Sequence, residues 1–191
     1  EDNSIDVAAQ NCLFNIFKED DLQKAIAEMY RVLKPHGRLV MSDPTCEQPM
    51  NDELRNDERL RALCLSGSLP ISEYVKALTD AGFGTVEIRA KRPYRILSPN
   101  HYNTDKNIFI DSVEVCAIKD PVLPDGPCVF TGKTAVYFGD EAFFDDNNGH
   151  TLLQQMPLSI CDKTAKALQK LNKSDIHISE STYFYDGGGC C

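Results

Sequence analysis

The sequence predicts an α/β fold: the second half of a doubly wound, Rossmann-like sheet over residues 1–119, followed by a small α+β unit over 120–191. Three observations carry this. Apolar runs of strand length alternate with stretches of helical periodicity. The order strand, helix, strand, helices, strand, strand is that in which such sheets close, the last two strands forming an antiparallel pair at the edge. A Pro-rich segment, "DPVLPDGP", then separates the two units.

The elements follow in order. The opening "EDNSIDVAAQNCLFNIF" is an acidic turn feeding a strand over 5–9 with no earlier element to pair it, so the chain reads as entering its fold partway. Asp20 or Asp21 caps a helix whose apolar positions Leu22, Ala25, Ile26, Met29, Val32 and Leu33 share one face, and Pro35 stops it. "GRLVMSD" is a short buried strand ending in an acid. Residues 51–65 form a charged amphipathic helix. A third helix starts at Ser72 as cap, turns Tyr74, Val75 and Leu78 inward, and ends at Gly82. "TVEIRA" and "IFIDSVEVCAIK" complete the strand pair. Beyond the linker, "CVFTGKTAVYFG" is a strand, "PLSICDKTAKALQKL" a strand end and a helix, and "DIHISESTYFYD" a last strand. Phe130, Val136, Tyr137, Phe138, Phe143, Phe144, Tyr183, Phe184 and Tyr185 are expected to form an aromatic core there.

Composition limits the partners. A net charge of -9 argues against nucleic acid, and no apolar run approaches the roughly 20 residues that cross a bilayer. A small-molecule partner and a monomer are expected. Eight cysteines without the dense spacing of a secreted disulfide framework, and without a leader segment, fit reduced thiols in the cytoplasm. Cys116 reads as an inward strand residue, and Cys46 and Cys128 as incidental surface thiols. Cys161 stands at a helix N-terminus, where the dipole favours a thiolate, although a structural place is expected. The four histidines lack metal-ligand spacing. "GDEAFFDDNNGH" reads as a solvated acidic turn, since it lacks the alternating oxygen ligands and distal glutamate of a calcium loop. The adjacent Cys190 and Cys191 follow three glycines; a disulfide between neighbours is strained, which leaves two thiols on a tether or an unused terminus.

The stretches "IDVAAQNCLFNIF", "EMYRVLKPHGRLVMSD" and "ISEYVKALTDAGFGTVEIRA" resemble the closing half of a class I S-adenosylmethionine-dependent methyltransferase over residues 1–119. His36 stands where the family's Lys-Pro turn has a second glycine, a position of positive φ that His tolerates. The resemblance implies that most of the cofactor site, the Gly-rich loop and the acidic ribose ligand, lies ahead of residue 1, leaving Asn11 on its rim. This chain alone is then expected to be inactive.

Within that family, "NCLFNIF" and "LRALCLSGSLPISEYVKAL" resemble the arsenite methyltransferases, in which cysteines at the places of Cys12 and Cys64 hold trivalent arsenic. The resemblance implies methyl transfer from S-adenosylmethionine to arsenite or methylarsenite, in arsenic detoxification, with a thiol reductant and a third thiol from the preceding residues. The chemistry is consistent: trivalent arsenic is thiophilic, and its lone pair can attack a methyl group. "GPCVFTGKTAVYFGDEAFFDDNNGH" and "DGGGCC" resemble a C-terminal extension found in a microbial and algal branch, which implies that Cys190 and Cys191 chelate the same ion. Two other readings stay open. Cys12, beside Leu13 and Phe14, and Cys64, between Leu63 and Leu65, can be core residues. The whole chain can also be a thiol-based arsenic or soft-metal binding module without catalysis.

Overall fold

The computed structural model describes residues 1–188; Cys190 and Cys191 lie outside them. Its main sheet has five strands: β1 (Ile5–Asn11), β2 (Leu33–Cys46), β3 (Thr85–Leu97), β4 (Ile108–Ile118) and β5 (Cys128–Phe130). Their order is β1-β2-β4-β3-β5. β1 runs parallel to β2 and β3 parallel to β5, while β4 is antiparallel to both its neighbours. The antiparallel strand is therefore inserted within the sheet, and β5, from the second unit, takes the edge expected for it.

Four helices connect the strands: α1 (Glu19–Val32), α2 (Asp52–Arg55), α3 (Glu58–Ala62) and α4 (Ile71–Asp80). Side chains alternate across a strand, so Leu39, Met41, Val86, Ile88, Val113, Val115 and Ala117 share one face with Leu22 and Ile26 of α1 and Tyr74 and Leu78 of α4. Several boundaries differ from expectation. The N-cap of α1 is Lys18, whose side chain makes no capping bond, while Glu19, Asp20 and Asp21 lie inside the first turn, where their charge favours the helix dipole. The helix ends at Val32, and Pro35 lies in β2. Residues 51–65 split into two short helices because Asn51 accepts from Leu54 N and Asp57 from Arg59 N and Leu60 N, each side chain starting a helix of its own. Pro70, not Ser72, precedes α4 as its N-cap. His36 has φ +63°, the positive value its place in the Lys-Pro turn requires.

Lys119 ties the turn to the sheet. Its Nζ donates to the carbonyls of Tyr30 (2.7 Å) and Leu33 (2.8 Å) at the end of α1 and to Asn3 Oδ1 (2.9 Å). It lies 4.4 Å from the Tyr30 ring centroid.

The second unit contains β6 (Lys133–Tyr137), β7 (Phe143–Asp145), β8 (Thr151–Leu153), β9 (Leu158–Ile160), α5 (Asp162–Lys170) and β10 (Ile176–Ile178). β10, β6 and β9 form a sheet, and β7 and β8 a hairpin. "CVFTGKTAVYFG" is two strands, because Gly132 breaks it at φ +81°. The acidic run is the hairpin's turn: His150 bridges Asp146 (2.6 Å) to the Thr164 hydroxyl (3.2 Å) on α5. The expected aromatic core is partial. Phe130, Tyr137 and Tyr185 are buried, whereas Phe138, Phe143 and Phe184 are exposed; Phe143 lies on the open face of β7, and Phe138 and Phe184 lie outside the strands. Cys46 and Cys128 are buried rather than on the surface, and Cys161 is buried at the N-cap of α5.

Replacing Lys119 by Met should lower the unfolding free energy by about 2 kcal/mol, because the two carbonyls ending α1 lose a charged donor. Chemical denaturation measures this. A loss below about 0.5 kcal/mol would place Lys119 among ordinary surface lysines.

Candidate functional site

Cys12 follows the last residue of β1, and Cys64 the end of α3. Both have φ +58°. A residue with a Cβ resists that conformation, and strain of this kind collects at functional positions. At Cys64 its origin is visible. Cys64 N donates to Arg61 O (2.9 Å) and Leu65 N to Leu60 O (2.9 Å), the paired bonds of a Schellman helix end, with Leu60 and Leu65 supplying its buried apolar contact. Cys64 occupies the place in this motif that glycine or asparagine fills best. At Cys12 the backbone N–H donates to Ser42 O (2.9 Å), continuing the β1–β2 ladder for one more bond before the chain turns.

The two turns are 52 residues apart in sequence, and a buried asparagine joins them. Asn15, in the 3-10 turn Phe14–Ile16, donates through Nδ2 to Pro44 O (2.8 Å) and to Cys64 O (3.1 Å), and its Oδ1 accepts from the Tyr74 hydroxyl of α4. Gly67 lies so close that an added Cβ would stand 2.1 Å from Asn15 O. Arg61 of α3 donates to Ile16 O (3.3 Å) and Phe17 O (3.2 Å). The Cys64 loop is also held to the end of β2, where Cys46 N donates to Leu69 O (3.2 Å).

The result brings the Cys12 and Cys64 thiols together, each partly buried. Burial first, then the Cys64 and Asp43 charges and a side-chain hydrogen bond with Cys64, push the Cys12 thiol up from its ordinary pKa. Cys12 is therefore a protonated thiol at neutral pH. Asp43, which sequence reasoning noticed only as the acid ending a strand, is wholly buried beside this pair. Its Oδ2 accepts from Gln10 Nε2, and Gln10 Oε1 in turn accepts from Leu13 N (2.9 Å). Burial raises Asp43 to about 6, with Gln10 and the Asn15 backbone opposing it. Tyr74 is raised by burial and then by Asp43 and the neighbouring thiols.

Asn11 lines a separate cavity of about 420 Å³ with Ala9, Gln10, Val40, Met41, Ser42 and Arg89 among its walls. Its lining mixes strand-end amide and hydroxyl groups with an apolar floor and the charged Arg89 and Glu114. Among the described residues no third His, Cys, Asp or Glu joins the thiol pair to form a metal cluster. The chain leading to Cys190 is anchored as far as Tyr185, which stacks on Phe130 at 4.5 Å between ring centroids and lies 5.4 Å under Arg89.

Comparison with known proteins gives the following. Residues 1–97 match a family model described as a methyltransferase domain. An arsenite methyltransferase from Aquipseudomonas alcaligenes is 35% identical over 95 residues, covering 50% of this chain and 27% of that protein. One from Halobacterium salinarum is 33% identical over 90 residues, covering 47% and 22%. The chain thus spans about a quarter of the length of these relatives. The crystal structure of an arsenic (III) S-adenosylmethionine methyltransferase from Chlamydomonas reinhardtii superposes with a TM-score of 0.58 at 21% identity, covering 99% of this chain and 64% of that one. The fold is that of class I methyltransferases.

Asp43 generates a pH test. Its native pKa of about 6 lies above the ordinary 3.8, so between those values the folded chain holds a proton that the unfolded chain has lost. Asp43's contribution is complete below about pH 4 and declines as pH rises to about 6, by roughly 3 kcal/mol in all. Asp43→Asn removes this titration, so the variant should gain on the wild type by about that amount between about pH 4 and pH 7. A gap in unfolding free energy that does not vary with pH would contradict the assignment.

Proposed function

The chain belongs to the methyltransferase-domain family, and from that premise we propose that it carries the arsenic-binding part of an S-adenosylmethionine-dependent arsenite methyltransferase, with Cys12 and Cys64 as the ligands of the metalloid. The observation that carries this reading is the meeting of two thiols from separate turns, both in a backbone conformation that costs stability. The arsenite methyltransferases among its relatives support the choice of substrate.

Binding needs no external base. Arsenite in neutral solution is uncharged arsenous acid, and each thiol forms an S–As bond as one As–O bond breaks; the thiol proton leaves with the hydroxide as water. A thiol kept protonated by burial suits this exchange, since neither partner brings charge into the site. S-adenosylmethionine, when bound, supplies an electrophilic methyl carbon. Asn11 at the end of β1 is the residue proposed to touch it. The remaining contribution of the chain is orientation: the Cys12 and Cys64 turns fix the direction of the arsenic lone pair. Cys190 and Cys191, on a tail anchored at Tyr185, are proposed to raise the local concentration of the ion without entering the chemical step.

Methylation kinetics of the full-length protein test these roles together. Cys12→Ser and Cys64→Ser should each abolish arsenite methylation. Removal of residues 187–191 should raise the arsenite concentration for half-maximal rate and leave the maximal rate nearly unchanged. Retained activity in either serine variant would overturn the ligand assignment, and arsenite bound without any methyl transfer would favour a binding module. A collapse of the maximal rate on truncation would make the tail part of the reaction.

A further inference from the structure

We propose that Asp43 is the binding residue for the hydroxyl group of dithiolate-bound arsenite, and so distinguishes arsenic species that keep a hydroxyl from those that do not. The inference rests on the reading of Cys12 and Cys64 as arsenic ligands. Trivalent arsenic takes three ligands in a pyramid. Where these two thiols alone bind, they replace two hydroxyls of arsenous acid and leave RS–As(OH)–SR, whose remaining O–H is a donor in a partly buried site.

Asp43 is placed to accept it. Asn11 pairs with Ser42 in the parallel β1–β2 register, so Asp43 is the next residue beside Cys12, about one strand spacing away. The carboxylate and the thiol are close enough that Asp43 acts on Cys12. Asp43 is fully buried, and no Lys, Arg or His forms an ion pair with it among the described residues. One oxygen, Oδ2, is held by Gln10; the Asn15 backbone amide faces the carboxylate, but Oδ1 makes no hydrogen bond of full geometry among the described residues and is buried. An orphaned carboxylate oxygen inside a core is costly and rare. Gln10 orients the group: by donating to Oδ2 and accepting from Leu13 N, it fixes the carboxylate against the very turn that presents Cys12.

The contrast between two arsenicals isolates the role. Phenylarsine oxide, hydrated, carries two hydroxyls; both leave when it binds two thiols, and nothing remains for Asp43 to accept. Calorimetry on the chain with Cys190 and Cys191 replaced by serine, with Cys12→Ser as the blank for the other thiols, gives the affinity for each arsenical. In Asp43→Asn, Gln10 donates to the amide oxygen and the amide NH2 replaces the free acceptor. Arsenite affinity should fall about tenfold or more, the weight of a hydrogen bond to a charged group, while phenylarsine oxide affinity should change less than about twofold. Equal losses for both ligands would mean that Asp43 merely supports the fold of the site, and no loss for either would mean that the oxygen faces elsewhere; both results overturn the proposal. Failure of the wild type to bind phenylarsine oxide through Cys12 and Cys64 would instead overturn the dithiol reading beneath it. Should Asp43→Asn lose its circular-dichroism signature, Asp43→Ser carries the same comparison.

Discussion

Asn15 is the residue on which the arrangement of this site depends. Cys12 belongs to the end of a strand and Cys64 to the end of a short helix, and nothing in either element brings the two thiols together. The Asn15 side chain does so by donating to the carbonyls of Pro44 and Cys64 while accepting from Tyr74. It is fully buried, so each of these bonds forms away from competing water, and losing any one strands a polar group in the core. Gly67 must be small for the same reason, since the Cys64 loop rests on the Asn15 backbone. The strain at φ +58° in both cysteines persists because this clamp over-determines their turns.

The electrostatics follow from the same enclosure. Burial raises the Cys12 thiol and holds the Asp43 proton to about pH 6. The proposed ligand, a neutral and thiophilic hydroxide, brings no charge into such a site. The methyltransferase sheet contributes the frame: inserting β4 between β2 and β3 leaves β1 and β2 paired in parallel, so that their C-terminal ends, carrying Asn11, Cys12, Ser42 and Asp43, open on the same side.

The sheet and its first helix were legible because their periodicity is strong: residues 5–9 and 37–43 are strands, and Leu22 and Ile26 face the core as their spacing predicts. Boundaries were less legible where a side chain competes with the backbone, as Asn51 and Asp57 do in starting two helices from one amphipathic stretch. The strand order was not legible, since pairing of β5 with β3 depends on tertiary contacts that no local pattern records. In the site, Cys12 and Cys64 were found by resemblance rather than by spacing. A local signal did exist for Cys64, in the apolar Leu60 and Leu65 that flank a Schellman end. Asn15 and Asp43 were missed as site residues because a buried asparagine and a strand-end acid have no periodic signature; their roles exist only across 29 to 59 residues of chain.

The central claim is that one arsenic atom is held by the sulfurs of Cys12 and Cys64. X-ray absorption at the arsenic edge counts its neighbours directly, on the arsenite-loaded chain with Cys190 and Cys191 replaced by serine. The account predicts two sulfur neighbours and one oxygen, with one sulfur lost in Cys12→Ser and one in Cys64→Ser. A sulfur count that is the same in the parent and in both variants would contradict it.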